Sequence, residues 1–497
     1  MDVPIRGPSS EHTERIVSHS RRIRLPQLSL RFSERKVILA AGDLLIINLA
    51  FLFALAPRPD FSPTLTAMWA RLPWFILLSG LWLLVGALLN IYDLARAASA
   101  MHSLWAAAGS ALFTGGFYFF IPYLTPALPN RRLELFLLPV IATAGVAAWR
   151  VAYAKVFVQP QFQQRALVVG AGWSGQALAQ AIAETGDGNG NPYRGTGYHI
   201  LGFIDDDPAK QGQEIEGIPV LGDRLDLPRL VEELRPDELI VAITHAQTIH
   251  GELFQAILDC REMGIPVTTM AALYERMTGR VPVEHAGRDL YVIMPLAQPA
   301  GYRLYLALRR LIDLGIALLG CGLVAVLTPI VWLVNRLTAP GNLFYRQTRI
   351  GQGGRSFEVV KFRSMIMDAE RDTGAVWAKE NDGRATPMGR ILRNTRLDEI
   401  PQFWNVLRGE MSLIGPRPER PEFVCQLAEE IPFYRVRHAV KPGITGWAQV
   451  KYRYGASVDD ALIKLQYDLY YIKHQGPYLD LLVLLKTVQV VLGMQGR

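Results

Sequence analysis

The sequence predicts a membrane α-helical protein with two further folded units. Four transmembrane helices come first, then a Rossmann-like α/β domain, then a mainly α domain with a re-entrant membrane helix. Three observations predict this. Four apolar stretches, at about 37–56, 73–92, 104–123 and 133–154, each approach the ~20 residues that a bilayer-crossing helix needs. A β-type run at 165–170 leads through Gly170-Ala-Gly172-Trp-Ser-Gly175 into a helical pattern. A fifth apolar stretch, Leu311–Val334, contains Pro329 and is basic on both sides.

At ~150 residues per domain, 497 residues predict roughly three folded units. Hydrophobic residues at 50% and charged residues at 20% exclude a fully disordered chain. Their uneven spread argues against a purely water-soluble one. Cys260, Cys321 and Cys425 form no CxxC pair and suggest neither a disulfide framework nor a zinc site, which fits a reducing compartment. The net charge of +7 (pI ≈ 9.2) points to anionic partners: nucleic acid, anionic lipid or a phosphorylated substrate.

Residues 1–36 form a polar, basic leader without the apolar core of a signal peptide. The positive-inside rule places it in the cytoplasm, and four crossings over 37–156 return the chain there. Arg150, Lys155 and Arg165 agree; Arg131 and Arg132 disagree. Trp69, Trp74, Tyr92, Trp105 and Tyr123 fall near span ends, as interfacial aromatics do. Asp43, inside the first span, is expected to face other helices. For Leu311–Val334, positive charge on both flanks favours a re-entrant hairpin at about 304–337. The alternative is an ordinary fifth span with a tolerated proline.

Residues 157–295 read as the Rossmann-like domain. Gly170, Gly172 and Gly175 suit a nucleotide loop, with a helix N-terminus offering N–H groups to phosphate. The strand Tyr198–Ile204 ends in Asp205-Asp206-Asp207, where a ribose-binding acid belongs. Strands at Glu238–Ile243 and near Pro266–Thr269 continue the alternation. No tyrosine is followed four residues on by a lysine, the pair a short-chain redox enzyme carries. A role in assembly or regulation is therefore favoured over a bound nucleotide.

Residues 296–497 hold the chemistry. Lys361 and Arg363, one residue apart after an apolar strand, would share a face and could meet a diphosphate or lipid headgroups. Arg390, Arg393 and Arg396 recur near one helical face, with the same two readings. In Arg396-Leu-Asp398-Glu399-Ile-Pro401, Pro401 suits a helix's first turn, so a helix is expected near Ile400. The carboxylates would sit at its positive end, which lowers their pKa and gathers phosphate near a nucleophile. An ionised Asp can attack phosphorus, and a second carboxylate can hold Mg²⁺ with phosphate oxygens. Gly415-Pro416-Arg417-Pro418 presents a guanidinium on a stiff turn, and Lys441–Lys451, with Gln449, is a glycine-punctuated loop. Leu479–Leu492 reads as a helix on the membrane or packed on the hairpin.

The run LDEIPQFWNVLRGEMSLIGPRPERPEF, with KFRSM before it and KPGITGWAQV after, resembles the bacterial polyprenyl-phosphate hexose-1-phosphate transferases. These are monotopic phosphoglycosyl transferases that initiate surface polysaccharide synthesis. The match covers roughly 300–497. The upstream half is similar to the large undecaprenyl-phosphate galactose or glucose phosphotransferases. The resemblance implies that UDP-hexose and undecaprenyl phosphate yield UMP and undecaprenyl-diphosphate-hexose. It implies Asp398 as the nucleophile and Glu399 as its Mg²⁺-associated partner. Lys361, Arg363, Arg396 and Arg417 fall at phosphate-facing positions, with Gln449 in the substrate-binding set. Thr328-Pro329 falls at the break of the re-entrant helix. A homodimer in the bacterial inner membrane, its folded domains facing the cytoplasm, is the family-level expectation, with no nucleic acid partner. Two rival classes are a membrane-anchored nucleotide-sugar oxidoreductase or dehydratase, and a non-catalytic regulator of polysaccharide export. The missing tyrosine–lysine pair weighs against the first and the Asp398-Glu399 setting against the second.

Overall fold

The computed structural model describes residues 32–56, 64–89, 91–92, 100–121, 124–126, 134–156, 164–184, 198–243, 250–286, 290–293, 300–366, 383–452, 455 and 457–492. Most of the basic leader, Tyr123, Arg131, Arg132 and the loop 185–197 lie outside them.

The first unit is a bundle of α1 (Phe32–Leu55), the short α2 (Leu65–Ala70), α3 (Leu72–Leu88), α4 (Ala100–Tyr118) and α5 (Glu134–Val156). α5 packs on α1 and α4, and α3 on α1 and α4. Ile47, Phe51, Leu78, Trp82, Ala107, Ala111, Leu138 and Val146 fill the core. Close helix approach rests on small residues: Gly42 abuts Trp149, and Gly115 abuts Pro139. Outward, Leu45, Leu49, Phe53 and Trp105 are exposed. Asp43 faces other helices, as expected: Arg150 Nη2 donates to its carboxylate at 2.5 Å, with both side chains essentially fully buried. Arg150 Nη1 also donates to the Ile91 carbonyl at 2.8 Å.

Among the described residues, three helices are long and apolar enough to cross a membrane: Glu34–Leu55, Phe136–Tyr153 and Tyr302–Thr338. Leu72–Leu88 is apolar but shorter. α4 ends at Tyr118 rather than 123 and is not among them. Its Ser103, Ser110 and Thr114 lower its hydropathy, and all three are buried inside the bundle rather than turned to lipid.

The second unit is a mixed sheet covered on both faces. Its strands are β1 (Gln164–Val169), β2 (Tyr198–Ile204), β3 (Glu214–Ile215), β4 (Ile218–Gly222), β5 (Glu238–Val241) and β6 (Val267–Thr269), in the order β3-β4-β2-β1-β5-β6. Only β3 runs antiparallel to its neighbour. Helices α6 (Trp173–Glu184) and α9 (Met270–Thr278) cover one face. α7 (Leu227–Leu234) and α8 (Gly251–Glu262) cover the other. α6 begins at Trp173, directly after Gly172 and before the last glycine of the expected loop, Gly175. Gly170 has φ +104°, and a Cβ on Gly175 would strike the Gly170 carbonyl oxygen. The turn therefore needs glycine at both positions.

The third unit follows α10 (Leu290–Ile293) and is organised along α11 (Tyr302–Thr338). Where a break is expected at Thr328-Pro329, the helix runs on through Pro329. The Thr328 hydroxyl donates to the Val324 carbonyl at 2.7 Å in the turn that the proline weakens. A hairpin of β7 (Phe344–Ile350) and β8 (Ser356–Phe362) comes next, then α12 (Pro387–Asn394) and a 3₁₀ turn, Leu397–Gln402. α13 (Phe403–Arg408), β9 (Ser412–Ile414), α14 (Pro421–Glu430), β10 (Gly443–Thr445), α15 (Trp447–Lys451), α16 (Val458–Lys473) and α17 (Pro477–Leu492) complete it. β9 and β10 pair in parallel. α17, the helix expected at Leu479–Leu492, contacts α3 of the bundle.

α11 is tied to the third unit near both ends. Near its start, Arg309 Nη2 donates to Ser412 Oγ at 2.8 Å, and the Leu413 N–H donates to Asp313 Oδ1 at 3.0 Å. Arg310 donates to the Val406 and Leu407 carbonyls, at the C-terminal end of α13. Mid-helix, Gly320 lies against the Phe403 ring. Near its end, Val331 packs with Phe362 and Leu392.

Candidate active site

Asp398 and Glu399 lie inside the 3₁₀ turn, not ahead of an α-helix starting near Ile400. The α-helix starts at Phe403, and Pro401 is buried inside the turn. Arg396 opens the turn with φ 60° and thereby leaves the α12 face that carries Arg390 and Arg393. The expected three-arginine face is thus broken after Arg393.

Glu399 is buried and clamped. Lys361 Nζ, at the end of β8, donates to its Oε1 at 2.8 Å. Arg417 Nη2 donates to Oε1 at 2.6 Å and Nη1 to Oε2 at 3.3 Å. Burial alone would raise the Glu399 pKa, but Arg417 and Lys361 outweigh it and hold the carboxyl well below the usual range. Burial also pushes the Lys361 ammonium down, against the pull of Glu399. Asp398 behaves in the opposite way to the expected lowering. Burial, then the neighbouring Glu399 charge, raise it to about 6, against Lys361, Arg417 and Arg393. The two carboxylates are therefore split: one is a fixed anion, the other titrates near neutrality.

Arg363 does not join this group. Its Nε donates to the Asn342 carbonyl at 2.7 Å and its Nη2 to the Ala339 carbonyl. It closes the C-terminal end of α11, so Lys361 and Arg363 part ways. Gln449 donates from Nε2 to the Ile444 carbonyl at 3.1 Å, and its Oε1 is buried without a hydrogen-bond partner.

Three residues not singled out from the sequence hold the site. Asn405, fully buried, accepts from the Val360 N–H at 3.1 Å and donates to the Glu358 carbonyl at 2.6 Å, which pins β8 beside Lys361. Arg437 donates to the Arg417 carbonyl at 3.0 Å and to Asp468 Oδ2 at 2.9 Å. Burial raises Asp468 to about 6 against Arg437. Its signal in the sequence is an acid inside the apolar run of α16.

Among the described residues, no group of three or more His, Cys, Asp or Glu could hold a metal alone. The donor chemistry still fits Mg²⁺, which takes one or two carboxylates with phosphate oxygens. Glu399 Oε2 accepts only the longer Arg417 bond and keeps lone pairs for a cation.

In the second unit, the Ala171 N–H donates to Asp205 Oδ2 at 2.7 Å, and Lys210 Nζ lies 3.2 Å from the same oxygen. The acid expected to meet a ribose is thus bonded to the glycine turn itself.

Residues 304–494 match the bacterial sugar transferase family, and residues 87–251 match a family described as a CoA-binding domain. The chain is 38% identical over 309 residues to a UDP-N-acetylgalactosamine-undecaprenyl-phosphate N-acetylgalactosaminephosphotransferase of Aeromonas hydrophila, covering 61% of this chain and 69% of that one. It is 32% identical over 301 residues to a UDP-glucose:undecaprenyl-phosphate glucose-1-phosphate transferase of Xanthomonas campestris pv. campestris, covering 57% and 58%. An enzyme of the same description from Escherichia coli (strain K12) is 40% identical over 185 residues, covering 36% and 39%.

Proposed function

Because the chain belongs to the bacterial sugar transferase family, whose relatives make it an undecaprenyl-phosphate sugar phosphotransferase, we propose that it moves hexose 1-phosphate from UDP-hexose to undecaprenyl phosphate. The observation that carries this reading is the split pair: Glu399 clamped by Lys361 and Arg417, with Asp398 beside it. An Asp398 carboxylate oxygen attacks the sugar-bearing phosphorus, and the bond to the UMP oxygen breaks. UMP leaves with that electron pair while Arg417 and Lys361 steady its phosphate. An oxygen of undecaprenyl phosphate then attacks the same phosphorus, the Asp398–phosphorus bond breaks, and undecaprenyl-diphosphate-hexose leaves. Glu399 would hold Mg²⁺, which would supply positive charge against the phosphates.

We place the reaction on the cytoplasmic side of the inner membrane, with four crossings in the first unit. α11 is read as re-entrant. Its 37 residues would span about 55 Å if straight, well beyond a bilayer core, yet residues near both ends bind one folded unit. A homodimer and a Rossmann-like second unit belong to the same proposal.

The test is mass spectrometry of the intact protein with UDP-sugar and no lipid acceptor. A hexose-phosphate adduct that maps to Asp398, and is lost when undecaprenyl phosphate is added, is expected. Turnover with no adduct at any time would sink the covalent route. A panel of UDP-sugars in the same assay identifies the hexose.

A further inference from the structure

The segment 279–286, which follows α9 of the second unit, is seated on the third unit. Trp447 Nε1 donates to the Gly279 carbonyl at 2.9 Å, and the Val281 N–H donates to the Gln466 carbonyl at 3.0 Å. Arg280 lies over the Tyr467 ring, 4.9 Å from its centroid. Val281, Val283 and Ala286 share one core with Leu427, Leu465 and Leu469.

Both bonds lead to Arg417. Trp447 follows β10, and the Gly415 N–H donates to the Thr445 carbonyl at 2.8 Å, while the Gly443 N–H donates to the Pro416 carbonyl at 3.0 Å. These bonds fix the two residues just before Arg417. On the second route, Gln466 stands two residues before Asp468, which holds Arg437, and Arg437 holds the Arg417 carbonyl. The loop has little slack: a Cβ on Gly415, Gly443 or Gly446 would strike neighbouring backbone.

We propose that residues 279–286 form a positioning strap for the active centre, holding Arg417 against Glu399 by two separate routes, so that the working catalytic unit begins upstream of residue 304. This rests on reading Arg417 as a cation that faces the substrate phosphates. The strap touches no reacting atom. It sets where the guanidinium stands when UMP departs, and a shift of about 1 Å there is worth up to roughly 100-fold in rate.

The experiment uses the full chain in lipid nanodiscs and follows single-turnover UMP release. Trp447→Phe keeps an aromatic six-membered ring but removes the N–H donor together with the five-membered ring that carries it. The expected result is UMP release slowed about tenfold at unchanged KM for UDP-sugar, with a melting temperature lowered by the lost bond and the smaller ring but still above the assay temperature. Glu275→Gln removes the charge from a different contact between the units, to Lys473 at 2.8 Å and His474 at 2.9 Å at the C-terminal end of α16, which makes no bond to the Arg417 backbone. It is expected to release UMP at the original rate. Unchanged release in Trp447→Phe, or equal slowing by Glu275→Gln, overturns the strap. Should Trp447→Phe not fold, hydrogen exchange on the unsubstituted protein decides. The Val281 and Gly415 amides, both hydrogen-bonded, opening in one step supports the strap, and independent opening overturns it. Arg417→Lys separates the two layers: if it keeps full activity, the reading of Arg417 fails; if it loses activity while Trp447→Phe does not, only the strap fails.

Discussion

Arg417 grips Glu399 with both terminal nitrogens, at 2.6 and 3.3 Å, and shares Oε1 with Lys361. Two cations thereby meet Glu399 directly. Asp398 receives their charge only through space, and burial wins. The result is an acid that is half protonated near pH 6.

UMP release should therefore rise with pH through about 6. On the proposed covalent route Asp398 must be ionised to attack, and at pH 5 only about a tenth of it is. A folded-state pKa above the unfolded value also means that this carboxyl disfavours folding progressively as pH rises from about 4 to 6. Asp398→Asn should remove both activity and adduct. A pH–rate profile flat from 5 to 8 would contradict the assignment.

Removing Lys361 leaves Glu399 with one cation fewer in a buried place. Lys361→Met should cost about 3 kcal/mol of stability, as a broken buried pair does. It should also push the acid limb of the pH profile above 6, because Lys361 is one of the charges that lower Asp398. Denaturant unfolding and the pH profile of the same preparation check both signs.

Arg363 offers a contrasting outcome. Its bonds go to the backbone of Ala339 and Asn342. Arg363→Ala should lower stability by about 1.5–3 kcal/mol, the scale of hydrogen bonds to a charged group. KM for UDP-sugar should hold. A large rise in KM at unchanged melting temperature would return Arg363 to the phosphate-binding set.

In the bundle, Asp43→Ala leaves Arg150 buried without its counter-ion. A loss of about 3–5 kcal/mol is expected. The double change to leucine at 43 and 150 should recover most of it. Unfolding in mixed micelles measures the difference, and equal losses in the single and double variants would contradict the pairing.

Much of this architecture was legible in the sequence. Apolar runs mark α1, α3 and α5 because lipid and core both demand continuous hydrophobicity. The strand Tyr198–Ile204 was readable to the residue because its β-type run is closed by acids. The Asp398-Glu399 pair stood out by its setting between Arg396 and Pro401 and Arg417 by its flanking prolines, and the fold brings Glu399 and Arg417 together across a separation of 18 residues. What failed was local. The turn before Phe403 closes with 3₁₀ geometry, so Pro401 does not mark the start of an α-helix. Arg363 shares a motif with Lys361 but binds carbonyls at a helix end, a partner that only tertiary contact decides. The pKa of Asp398 was misjudged because helix-end electrostatics was weighed and burial was not. Asp468 and Arg437 lie 31 residues apart, a pairing no local pattern announces.

Gly320 has a consequence for altitude. Phe403 nests in the gap its missing side chain leaves, and the turn bearing Asp398 ends where Phe403 begins. The turn that carries Asp398 is thus hung from the middle of the long helix by a spacer of one aromatic ring. Any residue larger than glycine there would push Phe403 aside and tilt the turn, so the seat of Asp398 on the long helix depends on a single absent methyl group.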